Sequence, residues 1–215
     1  MKIGILGSGD VARSLGSGFV ASGHHVMLGS RSAGNEKIVA WAKSTGGAGA
    51  GGTFAEAARY GDVLALATLG VVTSEVIALA GPEHFAGKVV IDATNPLKFE
   101  GQGPPSLALG FTTSAGEELQ KLLPKARVVK AFNTIGNAHF YRPTFPGGPP
   151  DMYLCGNDAA AKETVTSILH EFGWPSVLDI GGIEGARELE ALCILWVKTA
   201  FKLQNFDIAF KVLRK

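Results

Sequence analysis

The chain has little cysteine, little net charge and no long apolar run, and each shortage removes a class of protein. Only Cys155 and Cys193 stand in 215 residues. They form neither a metal spacing nor a redox pair, and each lies among apolar neighbours, so both read as reduced core thiols. The five histidines, His24, His25, His84, His139 and His170, are scattered without a metal spacing, and no metal is expected. Twenty basic against nineteen acidic residues leave a formal charge of +1. With no basic run, aromatic RNA-binding motif or acidic tail, a nucleic-acid partner is not expected. The longest apolar stretches, near residues 63–72 and 189–201, are broken by Gly, Lys or Thr before they could cross a bilayer, so no membrane partner is expected. Lys2 runs straight into a strand that carries a glycine turn. A cleaved signal is therefore not expected, and the location read from this is cytoplasmic.

What is present begins with residues 2–37, which read as strand, glycine turn, helix, strand and basic loop. Ile3, Ile5 and Leu6 lead into Gly7-Ser8-Gly9-Asp10-Val11-Ala12, and Leu15, Phe19 and Val20 follow at helical spacing. In this context the glycines point to a dinucleotide. Gly7 permits a tight turn out of the strand. Gly9 lets the backbone approach a pyrophosphate because no β-carbon intervenes, and Ala12 takes the third small position, where helix and strand pack closely. Free N–H groups at the helix start, from Ser8 to Val11, face the phosphates with the positive end of the helix dipole behind them. A carboxylate at Asp10 would repel a pyrophosphate, so Asp10 is expected to cap the helix instead.

The second strand, His25 to Leu28, ends in Gly29-Ser30-Arg31-Ser32. An NAD site offers a carboxylate to the ribose 2′-hydroxyl about twenty residues past the glycines, and no Asp or Glu stands there. Arg31 can stack on adenine and fork onto a 2′-phosphate. Ser30 and Ser32 add hydroxyl donors, and Lys37 lies near enough in sequence to add a charge. The set favours NADP(H) over NAD.

Along the rest of the chain, Ile38 to Ala42 reads as helix. Gly46 to Gly52 leaves room only for a short strand at a sheet edge. Thr53 and Glu56 have capping-box spacing, as do Ser114 and Glu117. Residues 62–67 read as a strand buried on both faces, ending in Thr68, Leu69 and Gly70 at the carboxyl edge, where ligands sit in open α/β folds. Val89 to Ile91 is the next strand, and Asn95 leaves it toward the same edge as a candidate nicotinamide contact. Residues 98–113 read as a long loop that could act as a lid. Arg127 to Phe132 is another strand, followed by Asn133 and Thr134. After a Pro-rich excursion over residues 140–150, strands are expected at 152–155 and 177–180 and helices at 159–172 and 186–201. The last helix is apolar on more than one stripe, which predicts burial by the sheet on one side and by a second copy on the other, a homodimer. The fold class is α/β: a Rossmann-like, doubly wound, mostly parallel sheet with the C-terminal helix packed on it. It forms one NAD(P)-binding domain over residues 1–215.

Gly-Ser-Gly at residues 7–9, Gly29-Ser30-Arg31, Asp92-Ala93-Thr94-Asn95-Pro96-Leu97, Val128 to Thr134 and Phe172-Gly173-Trp174-Pro175 together resemble the NADP oxidoreductase, coenzyme F420-dependent family. The resemblance covers nearly the whole chain. It is greatest to the bacterial branch of predicted dinucleotide-binding proteins and more distant to the cytosolic domain of STEAP-type metalloreductases. It implies hydride transfer between NADPH and a deazaflavin or flavin ring: coenzyme F420, FMN or FAD as second substrate, with ferric iron reached through a flavin. It also implies that Ser8 to Val11 hold pyrophosphate and that Ser30, Arg31 and Lys37 hold the 2′-phosphate. Thr68, Leu69, Asn95, Ala131, Asn133 and Thr134 would border the nicotinamide. Deazaflavin-reducing members carry His where this chain has Asn133, which leaves the second substrate open between the two ring types.

Hydride transfer between planar rings needs stacking and exclusion of water rather than an obligatory general acid. Asn133 and His139 are the candidate catalytic residues, His139 as a proton donor to a ring nitrogen. The Tyr-x-x-x-Lys pair of short-chain dehydrogenases is absent. Two other readings stay open: a non-enzymatic NADPH sensor that uses loops 98–113 and 140–150, and a small hydroxy-acid dehydrogenase. The second generally needs a longer helical domain than this chain offers.

Overall fold

A computed structural model describes residues 1–101 and 103–215. Eight strands form one sheet: β1 (Lys2–Leu6), β2 (His25–Ser30), β3 (Gly49–Thr53), β4 (Val63–Leu66), β5 (Val89–Asp92), β8 (Arg127–Lys130), β9 (Met152–Gly156) and β10 (Val177–Asp179). Their order is β10-β9-β8-β5-β4-β1-β2-β3. All neighbours run parallel except β8 and β9, which pair antiparallel. The sheet is thus the expected mostly parallel, Rossmann-like one. The Pro-rich excursion after β8 returns the chain at the other end of the sheet, which is why β9 reverses.

The strands read as continuous apolar runs because helices cover both faces. α1 (Asp10–Ala21), α2 (Glu36–Ser44) and α6 (Ala159–Glu171) lie on one face, where Leu15, Phe19, Trp41 and Ile168 meet Ile3, Ile5, Leu28 and Ile91. α3 (Phe54–Tyr60), α4 (Thr73–Ala80) and α5 (Ala115–Leu122) lie on the other, where Ala58, Ile77 and Leu119 meet Leu6, Leu64 and Val90. α7 (Ala186–Leu203) closes the β8–β9 end through Ala186 and Leu189 against Cys155. Leu195 and Phe201 on its outer side remain exposed.

β3 is the short edge strand expected from the glycine-rich stretch. The capping box at Thr53 and Glu56 is complete. At Ser114 only half forms: Ser114 accepts from the Glu117 N–H, but the Glu117 carboxylate accepts from the Ser114 hydroxyl and from Arg187 rather than from the Ser114 N–H. The loop over 98–113 also differs from expectation. Leu97–Lys98 (β6) and Ser106–Leu107 (β7) pair as a two-stranded antiparallel ribbon, so the segment starts as a hairpin rather than a free lid. Gln102, within it, lies outside the described residues.

Candidate functional site

The chain leaves β1, crosses to β2 and β3 on one side, then returns to β4 on the other side of β1. The carboxyl ends of β1 and β4 therefore flank the point where the strand order reverses, and ligands of open α/β folds bind in that crevice. A cavity of about 530 Å³ opens there, lined by Gly7, Ser8, Gly9, Arg31, Thr68 and Leu69 among others.

Gly7 has φ +155°, and a β-carbon on it would come within 2.5 Å of the Ala67 carbonyl oxygen and 3.0 Å of the Ala12 Cβ. Any side chain would drive β1 away from both β4 and α1. Gly9 is the reverse case. A β-carbon there meets nothing within 4 Å, so the protein itself does not require glycine, and the space is left for whatever enters.

Gly9 is the N-cap of α1 and supplies no side-chain hydrogen bond, which leaves the helix's first N–H groups free to face the cavity. The expectation that Asp10 caps the helix is corrected. The helix starts with Asp10, and its carboxylate pairs instead with Arg13, one turn on, which also donates to the Ser8 carbonyl at 3.2 Å. That pairing offsets the negative charge beside the glycine turn.

At the end of β2, Ser30 is buried and closes the turn locally. Its hydroxyl donates to the Ser32 carbonyl at 2.6 Å and accepts from the Ser32 N–H at 3.2 Å, so its donor is already used. The Ser32 hydroxyl accepts from the Gly34 N–H at 3.3 Å. Arg31 reaches the cavity. Lys37 lines a neighbouring groove of about 690 Å³ between α1 and α2, with Arg13, Ser17 and Trp41, rather than the cavity that Arg31 faces. Asn137 borders both spaces and donates to the Ser14 hydroxyl at 2.9 Å, which fastens the loop after β8 to α1.

Of the residues expected to border the nicotinamide, Thr68, Leu69, Asn95 and Asn133 approach one another from three strand ends, but only Thr68 and Leu69 line the cavity. Thr68 and Leu69 follow β4 and line the cavity, and the Thr68 hydroxyl is buried without a partner, a group a ligand could satisfy. Asn95 follows β5, and Asn133 follows β8. Phe132, between β8 and Asn133, has φ +67°, an uncommon conformation for a bulky residue. Its ring is fixed against Phe140 and Phe172 at centroid distances of 5.3 and 5.6 Å, and its left-handed turn carries Asn133 toward Asn95. Ala131, Asn133 and Thr134 are all buried.

His139 lies apart from this set. Its Nε2 is 2.9 Å from the Asp207 carboxylate in the C-terminal tail, its ring packs on Phe145, and it does not line the cavity. Among the described residues, the ionisable ones that line it are Asp10 and Arg31, both at the end beside the glycine turn.

Behind the edge lies a charged cluster that the sequence hints at only through a Lys in the apolar run Val128-Val129-Lys130-Ala131. Lys130 Nζ, fully buried, lies 2.7 Å from Asp92, 2.9 Å from Glu190 and 2.9 Å from the Thr94 carbonyl. Burial alone would push this ammonium's pKa down, but the two carboxylates outweigh it and hold it charged. Glu190 also accepts from the Ala115 and Gly116 N–H groups at 3.1 Å each, at the N-terminus of α5. Burial pushes the thiols of Cys155 and Cys193 up to about 12, so both stay protonated in the neutral range.

The geometry can be set beside known proteins. Residues 2–96 match the family model described as NADP oxidoreductase, coenzyme F420-dependent. The chain is 35% identical over 199 residues to metalloreductase STEAP3 of Rattus norvegicus, covering 89% of this chain but 36% of that protein. It thus spans little more than a third of the metalloreductase. It is 28% identical over 158 residues to the F420-dependent NADP reductase of Methanocaldococcus jannaschii, covering 73% of this chain and 70% of that one. A crystal structure from Arthrobacter sp. FB24, described as a candidate F420-dependent NADP reductase, superposes with a TM-score of 0.93 at 33% identity and covers the whole of both chains.

Proposed function

The chain belongs to the coenzyme F420-dependent NADP oxidoreductases, and from that premise we propose that it transfers hydride between NADP(H) and a flavin-like ring, a deazaflavin or a flavin. It is an NADP-dependent oxidoreductase by family.

The single observation that carries the reading is the division of the cleft. Its phosphate end has the open Gly9 turn, an uncapped helix start and Arg31, whereas the end at Thr68 and Leu69 holds no ionisable group among the described residues. Such a site suits a reaction that needs two rings stacked and water kept out, and not one that needs a base beside a carbonyl. Bound NADPH would supply the hydride. Ser8 to Val11 would hold its pyrophosphate by backbone N–H groups, and Arg31 its 2′-phosphate. Thr68 would offer its unpartnered hydroxyl at the nicotinamide end, and the interlocked Asn95 and Asn133 would brace the loops behind it.

The same reading extends to setting and assembly. No helix among the described residues is long and apolar enough to cross a membrane, and the reading places the protein in the cytoplasm. The exposed Leu195, Phe201 and Leu203 of α7 favour a second copy as the partner of that helix. Light scattering at micromolar concentration should give twice the monomer mass; a monomer counts against the dimer.

The experiment that tests the function is NADPH oxidation with FMN, FAD, riboflavin and the deazaflavin offered separately, and NADH as control. Turnover on one ring class names the acceptor. Tight NADPH binding with no turnover on any of them would replace this reading with that of an NADPH sensor.

A further inference from the structure

Arg31 is not free in the cleft. Its Nε and Nη2 both approach Oε1 of Glu75, at 3.3 and 3.2 Å. Glu75 stands in the first turn of α4, the helix that contributes Val76 to the cavity wall, while Arg31 and Phe54 come from the β2 side. The pair therefore bridges the rim of the cleft. Both contacts are longer than the 2.7–2.9 Å of a strong charge-assisted bond. The side chains are 68% and 53% exposed, so the bridge is weak and exchangeable.

We propose that Glu75 is a specificity-determining residue of this cleft: it holds the Arg31 guanidinium across the mouth and sets how readily a 2′-phosphate can claim it. The inference rests on the dinucleotide reading above. A carboxylate brings one negative charge to the guanidinium. A phosphate monoester brings nearly two, with three acceptor oxygens that match the arginine fork. The phosphorylated dinucleotide can therefore displace Glu75, but only by giving up the Arg31–Glu75 ion pair. A ribose 2′-hydroxyl carries no charge with which to draw Arg31 away, and the bridge stays in place. Glu75 thus limits affinity for the phosphorylated cofactor while leaving the unphosphorylated one alone.

The test is a fluorescence titration of the full chain with NADPH and with NADH, for the wild type, Glu75→Gln, Arg31→Ala and the double variant. Glu75→Gln should tighten NADPH by roughly two- to fivefold, the range of an exposed ion pair, and leave NADH unchanged. In the Arg31→Ala background the same substitution should do nothing, because the effect passes through Arg31. Equal changes for both cofactors would mean that Glu75 contacts the shared adenosine, and a gain that persists without Arg31 would mean that it acts on the phosphate directly; either overturns the proposal. A wild-type chain that binds NADPH with an unmoved preference in Glu75→Gln overturns this inference alone, whereas one that binds neither dinucleotide overturns the reading beneath it as well.

Discussion

Asn133 and Asn95 hold each other. Asn133 Nδ2 donates to Asn95 Oδ1 at 3.0 Å, and Asn95 Nδ2 donates to the Asn133 carbonyl at 3.0 Å, so the loops after β8 and β5 are closed on one another. A further donation from Asn133 Nδ2 to the Leu189 carbonyl, also 3.0 Å, brings α7 into the same arrangement. Replacing Asn133 by Leu would take the donor from the half-buried Asn95 Oδ1 and cut the side-chain tie to the Leu189 carbonyl of α7. The expected loss is about 1–3 kcal/mol of stability, read as a lower denaturant midpoint. An unchanged midpoint would show that the loops are held by other contacts.

Gly9→Val separates binding from folding. A β-carbon at Gly9 meets no protein atom within 4 Å, so stability should change by no more than about 0.5 kcal/mol. NADPH and NADH binding should both be lost, because the side chain fills the place of the pyrophosphate. Retained affinity with either cofactor would remove this turn from the site.

Lys130→Met should be the most damaging of these substitutions. It leaves Asp92 and Glu190 buried without their cation, and breaking a buried charge set by removing one partner costs about 3–5 kcal/mol. The check is chemical unfolding. A loss well below that range would mean that one of the carboxylates takes up a proton when the lysine is gone.

The Arg187–Glu117 pair predicts a pH dependence. Hydrogen bonding from Arg187 holds the Glu117 carboxyl below the usual carboxylate range, more than burial raises it. A carboxyl lowered on folding stabilises fully above its unfolded pKa and loses that contribution as pH falls through its folded value. The stability difference between wild type and Glu117→Gln should therefore be constant above the ordinary carboxylate range and narrow below it. A difference that does not vary with pH would show that the pair adds nothing.

The glycine turn before α1, the place of Arg31 at the cavity and the edge strand β3 were legible because each depends on near neighbours in sequence. Asp10 was not, since its partner Arg13 competes with capping one turn away and spacing does not decide between them. Ser30 read as a free donor, yet its hydroxyl serves the local turn. Lys37 is close to Arg31 in sequence, but the start of α2 carries it into the groove beside α1. His139 follows the Asn133 loop, and its partner Asp207 comes from the far end of the chain.

The order of strands and helices, the glycines that shape the turn and the absence of an acidic residue after β2 were determined by the sequence itself. Local sterics and hydrophobic periodicity act over a few residues and can be read there. Only the tertiary structure decided that Glu75 meets Arg31, that Asn95 locks Asn133, and that Lys130 lies between Asp92 and Glu190. Those partners stand 38 to 60 residues apart, or on helices whose rotation is set by packing. The free energy of each pair depends on burial and distance, which exist only once the sheet has brought its strand ends together.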